Sequence, residues 1–152
     1  MSTTRLDEAT ALFEEIRASF ASLQMHLDAS DPHVDVSVEI PSQDRLQFRV
    51  SMNLQNGDEL HLTVDESFWC SWFPSSDPRV REDYKGAVVG VLSGANRILE
   101  HRRWGRVVKA ELQAPQNEGW RTIASSGGGL LPLSWFSKTQ VLRNQPAAHG
   151  GP

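Results

Sequence analysis

The chain has 152 residues and one cysteine, and that cysteine sits in its most aromatic stretch, Phe68-Trp69-Cys70-Ser71-Trp72-Phe73-Pro74. A thiol becomes a useful nucleophile when an imidazole stands beside it, and a thiol with two imidazoles can ligate a metal. The alternating segments upstream supply the histidines. If they pair as consecutive antiparallel strands, with a two-residue turn at Asp65-Glu66, His61 stands opposite Cys70. Asn53 then faces His61, and His33 faces Asn53. Such a row, His33–Asn53–His61–Cys70, would cross one side of a sheet at about 5 Å per strand. Against it, His33 lies two strands from His61, far for a shared metal, and no helix N-terminus or glycine loop is at hand to form an oxyanion hole. A free cysteine that packs as a small hydrophobe is the plainer expectation, and no cofactor or metal is expected.

A second cluster is basic. Arg97 to Lys109, RILEHRRWGRVVK, holds five basic residues, one acid and Trp104. Arginine with an aromatic can bind phosphate and stack bases, so Arg102, Arg103, Trp104 and Arg106 are candidates for an RNA-binding surface. Basic side chains on an exposed strand also discourage edge-to-edge association. That use, and after it an acidic protein partner, ranks above nucleic acid. Gly86, Gly90 and Gly94 form a third pattern, spaced by four on a predicted helix. Each mid-helix glycine costs about 1 kcal/mol relative to alanine, so close packing of another backbone on that stripe is expected. No phosphate-binding glycine motif occurs.

These residues must be positioned by a scaffold, and the hydrophobic periods predict one. Leu6, Ala9, Phe13, Ile16, Phe20, Leu23 and Leu27 recur at alternating spacings of three and four, one stripe of a helix, with Thr4 and Asp7 as a capping box. Its expected use is packing on the domain's own sheet, and a helix-mediated homodimer is the second. After Asp31-Pro32 the period becomes two: Val34 to Ile40, Leu46 to Leu54 and Leu60 to Val64 read as an antiparallel meander. Matching the apolar sides sets Ile40 opposite Leu46. It also sets Leu54 opposite Leu60, which demands a three-residue or bulged loop at Asn56-Gly57-Asp58 rather than a bare two-residue turn.

The aromatic stretch follows as a fourth strand, then a helix capped by Asp77 with Pro78 at its first position and an apolar face from Val80 to Ile98. Strands over about 103–113 and 120–125 follow, with a turn at Ala114–Gly119. The expected fold is therefore α+β: an antiparallel sheet of about five to six strands, an N-terminal helix, and a second helix between the fourth and fifth predicted strands. One domain over 1–145 and a disordered tail over 146–152 are expected.

Composition is ordinary for a globular chain, with 39% hydrophobic and 22% charged residues. No signal peptide or membrane span is readable, and a lone cysteine suits a reducing compartment, so a cytoplasmic protein without membrane contact is expected. The net charge of −4 is unevenly spread: residues 1–66 carry 13 acidic and 4 basic side chains, and residues 67–152 carry 6 and 11. Mutual neutralisation within the fold is the simplest use of that asymmetry.

The aromatic strand puts large rings on both of its sides whichever register it takes, because Trp69 and Phe73 alternate with Phe68, Cys70 and Trp72. One set must need cover, and Leu130–Phe136 of the same chain, a protein partner or an apolar ligand could supply it. Aromatic and arginine enrichment is the composition of binding hot spots. The order of elements is similar in outline to the small acidic chaperones of type III secretion, which carries no motif residue but implies a binding role. The expectation is a non-enzymatic protein-binding module, of immunity, inhibitor or secretion-chaperone type. Its surface would comprise Phe68, Trp69, Trp72, Phe73, Arg102, Arg103, Trp104 and Arg106. A small-ligand protein or enzyme built on Cys70 and His61 is the alternative, and an RNA-binding domain the third.

Overall fold

The computed structural model describes residues 3–128 and 138–145. Helix α1 (Thr3–Ser19) leads into strands β1 (His26–Asp28), β2 (Val36–Ile40), β3 (Val50–Gln55), β4 (Glu59–Val64) and β5 (Phe68–Trp72). Helix α2 (Pro78–Ser93) comes next, then β6 (Arg97–Arg103), β7 (Arg106–Gln116), β8 (Gly119–Gly127) and β9 (Lys138–Leu142). The chain is α+β, as its periods predict, with two antiparallel sheets ordered β1-β2-β3-β4-β5 and β8-β7-β6-β9. The expected tail over 146–152 and the Leu130–Phe136 cover lie outside the described residues. Among the described residues no helix is long and apolar enough to cross a membrane.

Ala9, Phe13 and Ile16 of α1 are buried to within 1%, so that stripe is spent inside the domain. The helix ends at Ser19, earlier than the stripe suggested: Phe20 N–H bonds to Arg17 O at 3.1 Å and Leu23 N–H to Phe20 O at 2.9 Å. These tight turns redirect the chain so that β1 can pair with β2, while Leu23 and Met25 still reach the core. Thr4 lies within the first turn of α1, not at its cap. Two ion pairs join acidic α1 to basic α2, Arg81 to Glu8 at 3.4 Å and Lys85 to Glu15 at 2.6 Å. The charge asymmetry is therefore in part neutralised within the fold.

Leu54 pairs with Leu60 as the apolar match requires. The loop has Asn56 and Gly57 at positive φ, and the extra residue is Asp58. Ile40 pairs with Val50, not Leu46; Leu46 and Phe48 are instead buried from within the connecting loop. A four-residue shift keeps every side chain on its side of the sheet, which is why alternation alone could not exclude it.

Asp77 caps α2 by accepting the Arg79 N–H at 2.8 Å, with Pro78 at the first helical position. The helix stops at Ser93, where Gly94 takes a left-handed φ of 79°. Ile98 therefore lies on β6, not on the helix. The glycine stripe has three separate causes. A Cβ on Gly90 would lie 2.1 Å from the Asn96 side chain, Gly94 closes the helix, and Gly86 faces open space.

Candidate functional site

The turn between β4 and β5 decides what the aromatic strand presents. Asp65 takes a φ of 47° and is held there by Arg49: its N–H donates to Arg49 O at 2.8 Å, and its Oδ1 accepts the Arg49 N–H at 2.9 Å. Three residues, not two, therefore separate Val64 from its partner Phe68. The register moves by one, so Cys70 faces Leu62 and His61 faces Ser71.

That shift takes apart the expected thiol–imidazole row. Cys70 packs against the core with Trp72, while His61 points to the other side of the sheet. Burial pushes the Cys70 thiol above its ordinary value, against a weak bond to Ser71 O at 3.9 Å, so the thiolate is scarce at neutral pH. His61 does face Asn53, but Asn53 faces Ser37 in place of His33, and His33 is exposed in a loop. The His61 ring is 2% exposed. Its Nε2 meets Glu59 Oε2 at 3.1 Å, its Nδ1 is buried without a partner among the described residues, and the Trp69 ring covers it at 5.3 Å between centroids. Among the described residues, no three His, Cys, Asp or Glu side chains converge as a metal would need.

The eight residues expected on a binding surface separate into three groups. Phe68 is 1% exposed and belongs to the core. Trp72 packs edge-on against Tyr84 at 5.4 Å, and Tyr84, wholly buried, donates its hydroxyl to His61 O at 2.7 Å. These two rings hold β5 on α2 and are not available as a docking face. Trp69 and Phe73, in contrast, are 53% and 69% exposed. Beside Trp69 the outer edge of β5 meets β8, where the Trp69 N–H donates to Ser126 Oγ at 3.2 Å.

The basic cluster is a β-hairpin, not the single strand expected. Trp104 and Gly105 form its two-residue turn, both at positive φ, between the paired Arg103 and Arg106. Sequence reading missed β6 because Ile98 continues the apolar spacing of α2; the Gly94 cap was the signal against it. Trp104 at the tip is 87% exposed, and the Arg103 guanidinium lies 4.3 Å over its ring. Arg102 turns inward, its Nε 3.4 Å from Glu100 Oε1.

Between the β4–β5 turn and this hairpin lies a cleft of about 580 Å³. Among the described residues it is lined by Arg49, Asp65, Glu66 and Ser67 on one side, and by Glu100, Arg102, Gly105 and Arg106 on the other. Val107, Gln140 and Leu142 complete it. Glu100 is 2% exposed, a carboxylate that no reading of the sequence singled out beyond counting it as the one acid of the cluster.

On the opposite side of β6 and β7, His101 Nε2 meets Glu111 Oε2 at 2.7 Å, and Thr122 donates to Glu111 Oε1 at 3.1 Å. Burial pushes the Glu111 carboxyl up, but the bonds from His101 and Thr122 and the charges of Lys109 and His101 outweigh it. The carboxyl is held below its ordinary value. Scanned against known protein families, curated proteins and solved structures, the chain gives no significant match.

Proposed function

We propose that this chain is a non-enzymatic protein-binding module, of inhibitor, immunity or secretion-chaperone type, that docks its partner on Trp69 and Phe73. The observation supporting this reading is the exposure of those two rings, 53% and 69%, beside an inner ring, Phe68, that is 1% exposed. Neither ring belongs to the buried core, and beyond the His61 ring that Trp69 covers their exposed parts are open to a partner. Covering their exposed parts is worth on the order of 5 kcal/mol before the costs of association. Trp104, 87% exposed on its hairpin, is a further ring of the kind that anchors interfaces. A catalytic reading is disfavoured by the separation of Cys70 from His61 and by the closure of the His61 ring.

The test is a capture from native lysate with the wild-type chain and with a Trp69→Ala/Phe73→Ala variant as baits. The captured partner is then purified and titrated against both. Both positions are exposed, so the variant is expected to fold, and circular dichroism checks that it does. The expected result is a weakening of at least about 100-fold, the loss of two hot-spot residues. Equal affinity of the two baits for every purified partner would remove Trp69 and Phe73 as the docking surface.

A further inference from the structure

We infer that the cleft between the β4–β5 turn and the β6–β7 hairpin binds a small zwitterion, an ammonium carboxylate of amino-acid or dipeptide size. This site is separate from the Trp69–Phe73 surface and does not depend on it. Its volume of about 580 Å³ lies within the roughly 300–1,000 Å³ of small-molecule sites. Among the described residues the lining carries three guanidiniums, Arg49, Arg102 and Arg106, and three carboxylates, Asp65, Glu66 and Glu100. Their charges cancel. A simple anion would meet the carboxylates and a simple cation the guanidiniums, whereas a molecule of both signs can set each end against its opposite.

Glu100 fixes which end goes where. Its side chain is 2% exposed, yet among the described residues its one donor is Arg102 Nε, at 3.4 Å. An ionised carboxylate can accept about four hydrogen bonds, and burying one with so few is costly. An ammonium brings three further donors. Arg49 and Arg106 stand exposed at the rim, without an ion pair among the described residues, as receptors for the carboxylate. Val107 and Leu142 give the aliphatic part of such a ligand an apolar wall. Asp65 is already committed through Oδ1 to the Arg49 N–H and Glu66 is exposed, which leaves Glu100 as the buried anchor.

The test is calorimetric titration of the full chain with L-leucine, glycyl-L-leucine, N-acetyl-glycyl-L-leucine and glycyl-L-leucinamide. Leucine or the free dipeptide is expected to bind, and each blocked form to bind at least about tenfold more weakly than the free dipeptide, the loss of one charge-assisted contact. Arg106→Ala, at an exposed position, is expected to weaken the free dipeptide by about tenfold and to leave the amide unchanged. Glu100→Gln should do the same for the free amine and leave the acetylated form unchanged. If Glu100→Gln does not fold, the Arg106 variant and the blocked ligands still decide. Absence of binding by leucine and by the free dipeptide up to about 10 mM would overturn the site. So would equal binding of free and blocked dipeptides, or an affinity indifferent to Arg106→Ala.

Discussion

Two glycines four positions apart on α2 do opposite things, and the difference is measurable. At Gly90 an added methyl would lie 2.1 Å from Asn96 Nδ2 and 2.3 Å from its Cγ. Asn96 is itself buried and ties its backbone N–H to Gly90 O at 2.9 Å, so an added methyl must push its side chain out of place. Gly90→Ala is expected to destabilise by about 1–3 kcal/mol despite the better helix propensity of alanine. Among the described residues Gly86 has no heavy atom within 4 Å of where its Cβ would stand, and Gly86→Ala is expected to stabilise by about 0.5–1 kcal/mol. Urea unfolding of the two variants checks both signs, and a shared sign would refute the packing account. The spacing of these glycines was legible in the sequence; the reason for each was not. Gly94 answers to its own backbone, but Gly90 answers to a residue that returns from beyond the helix end.

At the scale of elements, the alternation of polar and apolar residues settles which side of a strand is buried, and leaves its offset open. Leu54 against Leu60 was readable because a short loop allows few choices. Ile40 against Val50 was not, because Leu46 and Phe48 are apolar without being strand residues. The one-residue slip of β5 depends on Asp65 bonding twice to Arg49, a contact across 16 positions that no local pattern announces. It alone separates Cys70 from His61. In the second sheet, the cross-strand pair of His101 and Glu111 makes a prediction about acid. The Glu111 carboxyl titrates below its ordinary 4.5 in the folded chain, so folding favours its ionised form. The stabilisation is present in full above pH 4.5 and is lost as pH falls through the folded value. Wild type is therefore expected to exceed Glu111→Gln in urea midpoint at pH 6, with the gap narrowing as the pH falls below 4.5. Parallel pH profiles for the two proteins would refute it.

Over the whole molecule, the α+β class and the helix after the aromatic strand were legible, because long periodic segments carry their own signal. The division into two sheets was not, since β1 is three residues long, β6 begins just past the Gly94 cap with Ile98 still in step with the apolar face of α2, and β9 pairs with β6 rather than with a sequence neighbour. One side chain spans the parts. Asn144, 2% exposed, donates both of its amide protons, to Arg45 O at 2.8 Å and to Leu92 O at 2.7 Å. It ties the end of β9 to the β2–β3 loop and to α2. Asn144→Asp would turn a carboxylate onto two carbonyl oxygens, and a loss of about 3–5 kcal/mol is expected by chemical unfolding. An unchanged midpoint would mean that the link holds nothing.

The reach of that amide also sets an order of events during synthesis. Asn144 is made 99 positions after Arg45, an interval of roughly 5–20 s at ribosomal speed. Leu92, the other acceptor, is made 52 positions before Asn144, an interval of roughly 3–10 s, so the β2–β3 loop and the end of α2 both await the residue that joins them. This clasp cannot shut until Asn144 has been made, and a ribosome stalled shortly before residue 144 would display a domain still open at that seam.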